Sequence, residues 1–244
     1  MSRQRMRHDT IERTQRIFVW VFFLAVLGIG AIAARTAGVL PADAGGLGRQ
    51  GVDPSAWNKQ VALISGHAGN DSGAICEDGN GQPAIQEADV NAAVAGLAAE
   101  RLRQAGADVL ILEEYDPRLE GLAADLLLSL HADSCIDESG YKSSRYTNSP
   151  IPAESDRLVA CINMHYAAAT GLAENVNTIT EDMTEYHAFR RIDPQTPAAI
   201  LELGFLGGDY DLLANQQPLL AKGVADGVLC FLDGGPQPAP VATP

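Results

Sequence analysis

Val61-Ala62-Leu63-Ile64-Ser65-Gly66-His67 is an apolar run that stops on Gly-His, and Leu126-Leu127-Leu128-Ser129-Leu130-His131 repeats the design. A third run, Ala198-Ala199-Ile200-Leu201-Glu202, ends on a carboxylate instead. Short unbroken apolar runs of this kind read as strands buried within a parallel sheet. Polar residues at their ends matter, because open α/β sheets hold ligands just beyond the carboxyl ends of their strands.

The segments between these runs read as helices. Residues 87–104 place Val90, Val94, Leu97, Ala98 and Leu102 at helical spacing, and Gly106 supplies a stop. Residues 109–112 form a short buried strand. Ser155 opens a helix through Leu158, Ile162 and Tyr166 that ends at Gly171, residues 176–179 read as a strand, and residues 218–232 read as a closing helix. The expected fold class is therefore α/β: a mainly parallel twisted sheet flanked by helices, preceded by one N-terminal transmembrane helix.

That helix is residues 17–34, 18 positions without a charge, which falls within the roughly 17–25 residues needed to span a bilayer. Residues 1–16 carry Arg3, Arg5, Arg7, Arg13 and Arg16 against Asp9 and Glu12. This basic tail belongs in the cytoplasm by the positive-inside rule, with the rest of the chain outside. The run exceeds the about 7–15 apolar residues of a cleaved signal, which favours a retained anchor. Ala31-Ile32-Ala33 and Ala42-Asp43-Ala44 nevertheless offer small-x-small cleavage sites, and cleavage would give a secreted protein. Residues 35–58, with five glycines and two prolines, read as a flexible linker. Residues 59–233 read as the catalytic domain, and residues 234–244, with four prolines, as a disordered tail.

From residue 59 onward ten Lys and Arg face 27 Asp and Glu, a net charge of −17. So acidic a domain is a poor match for nucleic acid, whose binding depends on Lys and Arg neutralising phosphates. A neutral or weakly charged polymer is the better substrate, and a monomer is expected. Cys76, Cys135, Cys161 and Cys230 all lie in the outward part, where disulfides persist. Cys76 follows the His67 loop and Cys135 follows His131, so these two are expected to pair, leaving Cys161 and Cys230 as buried helix thiols.

Two imidazoles and one carboxylate form a ligand set for a catalytic zinc, with one position left for water. His67 and His131 supply the imidazoles. Glu87, on the first turn of the helix after the His67 loop, offers the carboxylate that a strand end need not provide. Glu202 stands among Leu201, Leu203, Gly204 and Phe205. Burying a carboxylate there is costly without a metal, proton or partner, and a burial-raised pKa suits a general base. Pairing with Arg190 or Arg191 is the plainer alternative. His187 and Arg190 belong either to the surface or to contacts with substrate, and residues 134–155 form a candidate lid.

Gly66-His67, Glu87 with Asn91, Ser129-Leu130-His131-Ala132-Asp133 and Pro197-Ala198-Ala199-Ile200-Leu201-Glu202-Leu203-Gly204-Phe205-Leu206 come in order along residues 59–233. Together they resemble the zinc-dependent N-acetylmuramoyl-L-alanine amidases of the Amidase 3 type. The resemblance implies Zn2+ on His67, Glu87 and His131, with Glu202 as the catalytic carboxylate. It also implies peptidoglycan as the partner polymer and the bond between N-acetylmuramic acid and L-alanine as the target. The chain departs from the family pattern with Asp133 where asparagine is usual and with Gly207-Gly208 where Ser-Asn is frequent. Two other readings share the fold: a non-catalytic wall-binding or regulatory module, and a zinc hydrolase of another peptidoglycan amide.

Overall fold

The structure is a computed structural model that describes residues 53–236. The basic tail, the apolar segment 17–34, most of the linker and the end of the C-terminal tail lie outside the described residues. No helix among those described is long and apolar enough to cross a membrane.

Five strands make one sheet: β1 (Gln60–Ser65), β4 (Asp108–Leu112), β5 (Leu126–Asp133), β6 (Lys142–Ser144) and β7 (Ala198–Phe205), in the order β4-β1-β5-β7-β6. The first four strands in that order run parallel, and β6 lies antiparallel on β7. A separate hairpin joins β2 (Ile75–Glu77) to β3 (Pro83–Gln86). Three long helices follow the expected patterns: α1 (Glu87–Ala105), α2 (Pro152–Thr170) and α5 (Gln217–Leu232), with short helices α3 (Glu181–Thr184) and α4 (Tyr210–Asn215) between them. Gly106 and Gly171, both at positive φ, end α1 and α2 where their sequences lose apolar periodicity.

The two faces of the sheet are covered unequally. Val61, Leu63, Leu128, Leu130, Leu201 and Leu203 point toward α1, α2 and α5 in the main core. Ala62, Ile64, Leu112, Leu127 and Ile200 point the other way, beneath Leu119, Met183, Tyr186, Phe189 and Ile192, which come from short helices and loops. Side chains alternate along a strand, so His131 shares the thinly covered face with Leu127 and Ser129, and Glu202 shares it with Ile200. The polar strand ends thus emerge on the side that, among the described residues, has no long helix above it.

Several sequence expectations are corrected. Residues 176–179 are not a strand. Val176–Thr178 is a 3-10 turn held by local bonds, Ile179 N–H to Val176 O and Thr178 Oγ1 to Asn175 O, and the edge beside β7 is taken by β6. That strand arises within the segment expected as a lid, whose residues 142–144 pair with β7. The linker stops short of residue 58, because Ala56 is fully buried and Asp53 N–H bonds Ala105 O. Cys76 and Cys135 are bridged as expected, but Cys161 and Cys230 form a second disulfide instead of free thiols. Those two residues sit on α2 and α5, which approach closely because Gly223 and Gly227 present no side chain. A Cβ on Gly227 would lie 2.9 Å from Ile162 Cα.

Candidate active site

Four strand ends and one helix start converge on the thinly covered side of the sheet. His67 leaves β1 through Gly66 and adopts a left-handed φ of 65°, rare for a residue with a side chain. Its backbone N–H donates to Glu114 Oε2 at 2.9 Å, and its Nδ1 bonds Asp71, leaving Nε2 free to face inward. His131 and Glu202 are directly paired across β5 and β7, and Lys142 of β6 pairs with Glu202 from the other side.

Glu87, the first residue of α1, reaches back into this cluster. Its Oε1 lies 3.2 Å from His67 Nε2 and 3.1 Å from His131 Nδ1. The Ala132 amide donates to the same oxygen, and the Ala74 amide donates to Oε2. Asn91, one turn along the helix, bonds both Glu87 Oε1 and Gly66 O, locking the carboxylate to the β1 turn. Burial works against the Glu87 charge, but His131 and these amides outweigh it and hold its pKa below the ordinary value.

His67, Glu87 and His131 form a group that could hold a metal ion, with one ligand atom from each lying within 4.8 Å of the others. Around a tetrahedral zinc with bonds of about 2.0–2.1 Å, neighbouring ligand atoms sit roughly 3.3 Å apart. The 3.1 and 3.2 Å separations from Glu87 to the two histidines match that spacing, so the residues present fit zinc in donor type and in these two distances.

Glu202 is placed differently. Part of its side chain reaches the surface, but Oε2 is sealed from solvent and has no hydrogen-bond donor. Burial, with the Glu87 and Asp133 charges, raises its pKa to about 7, while His131 and Lys142 pull against the rise. Neither arginine pairs with it, which removes the plainer alternative: Arg190 bonds Glu185 and Arg191 bonds Glu120. Lys142 is instead buried against Asp133 and donates to Thr178 O at 2.7 Å.

Glu114 had no place in the expected site. Its Oε1 accepts from Tyr186 OH and His187 Nε2, each at 2.8 Å, and its Oε2 lies 3.4 Å from His131 Nε2. Burial opposes its charge, but His131 and His187 overcome that effect and drive its pKa far below the carboxylate range. The sequence did hold a signal. The β4 run Val109-Leu110-Ile111-Leu112 is followed by Glu113-Glu114, a polar strand end like the other three. His187 is therefore neither a plain surface residue nor seen reaching toward substrate, since its ring is engaged by Glu114.

The Gly207-Gly208 departure also has a structural reason. A Cβ on Gly208 would fall 1.9 Å from Glu138 O, and one on Gly207 would fall 2.3 Å from Ile136 O. The loop after His131, tied to the hairpin by Cys76–Cys135, packs directly onto the backbone that follows β7. Side chains at these two positions would push it away.

The ends of a parallel sheet and the start of one helix gather two histidines and three glutamates, a hydrolase-type centre that includes a trio able to hold a metal ion. Residues 61–230 match the family model described as N-acetylmuramoyl-L-alanine amidase, and the chain belongs to that family. Comparison with curated protein sequences returns no match. Among solved structures, the chain is similar to the CwlD amidase of Clostridioides difficile in complex with the GerS lipoprotein. Identity is 17%, with 72% of this chain and 99% of that one covered, at a TM-score of 0.55. It is also similar to an N-acetylmuramoyl-L-alanine amidase of Clostridium difficile 630 (22% identity, 72% and 98% covered, TM-score 0.55). Ami1 of Mycobacterium smegmatis matches at 15% identity over 73% and 98% of the chains, with a TM-score of 0.56. At these identities the structural likeness establishes a shared fold, and family membership supports peptidoglycan amidase activity.

Proposed function

We propose that this protein is a zinc-dependent N-acetylmuramoyl-L-alanine amidase, hydrolysing the amide that joins the lactyl group of N-acetylmuramic acid to L-alanine. The observation that carries this reading is the cluster of His67, Glu87 and His131 beside a carboxylate, Glu202, whose pKa is raised to about 7. His67, Glu87 and His131 would hold the zinc, which supplies a water of lowered pKa and a positive charge for the developing oxyanion. Glu202 accepts the proton of the attacking water and returns it to the leaving amine, a two-way task for which a pKa near neutrality is best suited. Asn91 and the Ala74 and Ala132 amides hold the Glu87 carboxylate in place, so the cluster does not need to reorganise.

The reaction would take place outside the cytoplasmic membrane, with residues 17–34 as the anchor. Two disulfides among the described residues support an oxidising compartment. Incubating purified peptidoglycan with the protein should release new N-terminal L-alanine in proportion to bound zinc, and chelation should stop it. A different new end group, or full activity in zinc-free protein, would overturn the reading.

A further inference from the structure

Besides Glu87, a second carboxylate touches both histidines of the cluster. Glu114 Oε2 accepts the N–H of His67 at 2.9 Å, at the residue held at left-handed φ, and faces His131 Nε2 at 3.4 Å. The opposite ring nitrogen, Nδ1, is the one turned to Glu87. His131 Nε2 is buried and has no well-aligned hydrogen-bond partner, so Glu114 is its nearest carboxylate acceptor.

The carboxylate is itself fixed. Tyr186 OH and His187 Nε2 both donate to Oε1, and Ser129 Oγ in turn donates to Tyr186 OH at 3.1 Å. Tyr115 stacks on the His187 ring with centroids 4.4 Å apart, closing the outer side. A carboxylate needed only to fill core space would not gather this many donors beside two histidines.

We infer that Glu114 is a positioning residue for the metal cluster, orienting His131 through Nε2 and His67 through its backbone, with Tyr186 and His187 as its supports. The inference rests on the zinc reading proposed above. Carboxylates that accept from the distal nitrogen of a ligating histidine fix its tautomer and ring plane, and losing one weakens metal binding by about 10–100-fold.

The test measures zinc affinity of the full-length protein by competition with a chromogenic chelator, alongside the unfolding temperature of the metal-free form. Glu114→Gln keeps an oxygen for the His67 N–H but loses the charged acceptor for His131. It should weaken zinc binding by about 10–100-fold while leaving metal-free unfolding close to wild type. Tyr186→Phe, which removes one support and leaves Glu114 in place, should weaken binding by about threefold to tenfold. It serves as the test if Glu114→Gln does not fold. Wild-type affinity in Glu114→Gln, or in Tyr186→Phe where that variant has to stand in, would overturn the inference alone. Failure of the wild type to bind zinc would overturn the metal reading and this inference with it.

Discussion

Glu114 and Glu202 stand on opposite flanks of His131, beyond β4 and within β7, and they differ in what reaches them. Glu114 collects a tyrosine hydroxyl, a second histidine and a backbone amide, and its pKa falls far below the ordinary range. Glu202 has a sealed, unpartnered Oε2 and two neighbouring carboxylates, and its pKa rises to about 7. Glu114 is buried and Glu202 partly so, both at the mouth of one sheet. Burial raises the pKa of both, so the supply of donors decides which one stays charged. One flank holds a fixed charge, and the other carries a carboxylate whose pKa lies near neutrality.

The sharpest way to break this comparison is Glu202→Gln. If the unpartnered flank moves the proton, turnover on purified peptidoglycan should fall by about 10²–10⁴-fold with zinc content unchanged. Turnover near wild type would show that the β7 flank is not the working one.

A second experiment compares the disulfides. Cys76–Cys135 braces the loop that packs against the backbone after β7, whereas Cys161–Cys230 joins two helices in the main core. With sequence separations of 59 and 69, each should contribute roughly 4 kcal/mol of stability by loop-closure entropy. Replacing either pair by serines should lower the denaturant midpoint similarly. Only loss of Cys76–Cys135 should also reduce turnover in protein that is still folded. Equal effects on turnover would separate that loop from the Glu202 flank.

The smallest effect concerns pH in metal-free protein. Glu202 and His131 have folded pKa values raised to about 7 and about 10, so the stability each contributes at low pH is lost as pH rises. Glu87 and Glu114 have lowered values, and their contribution is lost as pH falls below about 4.5. Metal-free protein should therefore be most stable near about pH 5–6. Glu202→Gln should recover on the order of 2 kcal/mol at pH 8, measured by denaturant unfolding against wild type. No recovery would mean that the Glu202 charge is already compensated.

Much of the site was legible because strand-end residues announce themselves: His67, His131 and Glu202 each terminate or punctuate an apolar run, and Glu87 opens a helix with Asn91 one turn later. Glu114 obeys the same rule after β4, but nothing local distinguishes it from Glu113 and Asp116 beside it. Tyr186 and His187 carried no signal of their partner, which lies 72 and 73 residues away in sequence. The edge strand β6 and the hairpin strands were too short to show a period.

Sequence alone settled the four parallel strands, the three long helices and their order, because runs of buried aliphatic residues and helical spacing are local properties that survive without knowledge of neighbours. It also carried the family, through four short motifs. Only the tertiary structure decided that, among the described residues, one face of the sheet lacks a long helix and that Cys161 meets Cys230. It alone showed that Gly207 and Gly208 yield space to a loop carbonyl, and that two similar glutamates sit in opposite protonation environments. Those outcomes depend on which donors, charges and backbones are brought within a few ångströms, and spacing along the chain does not encode that.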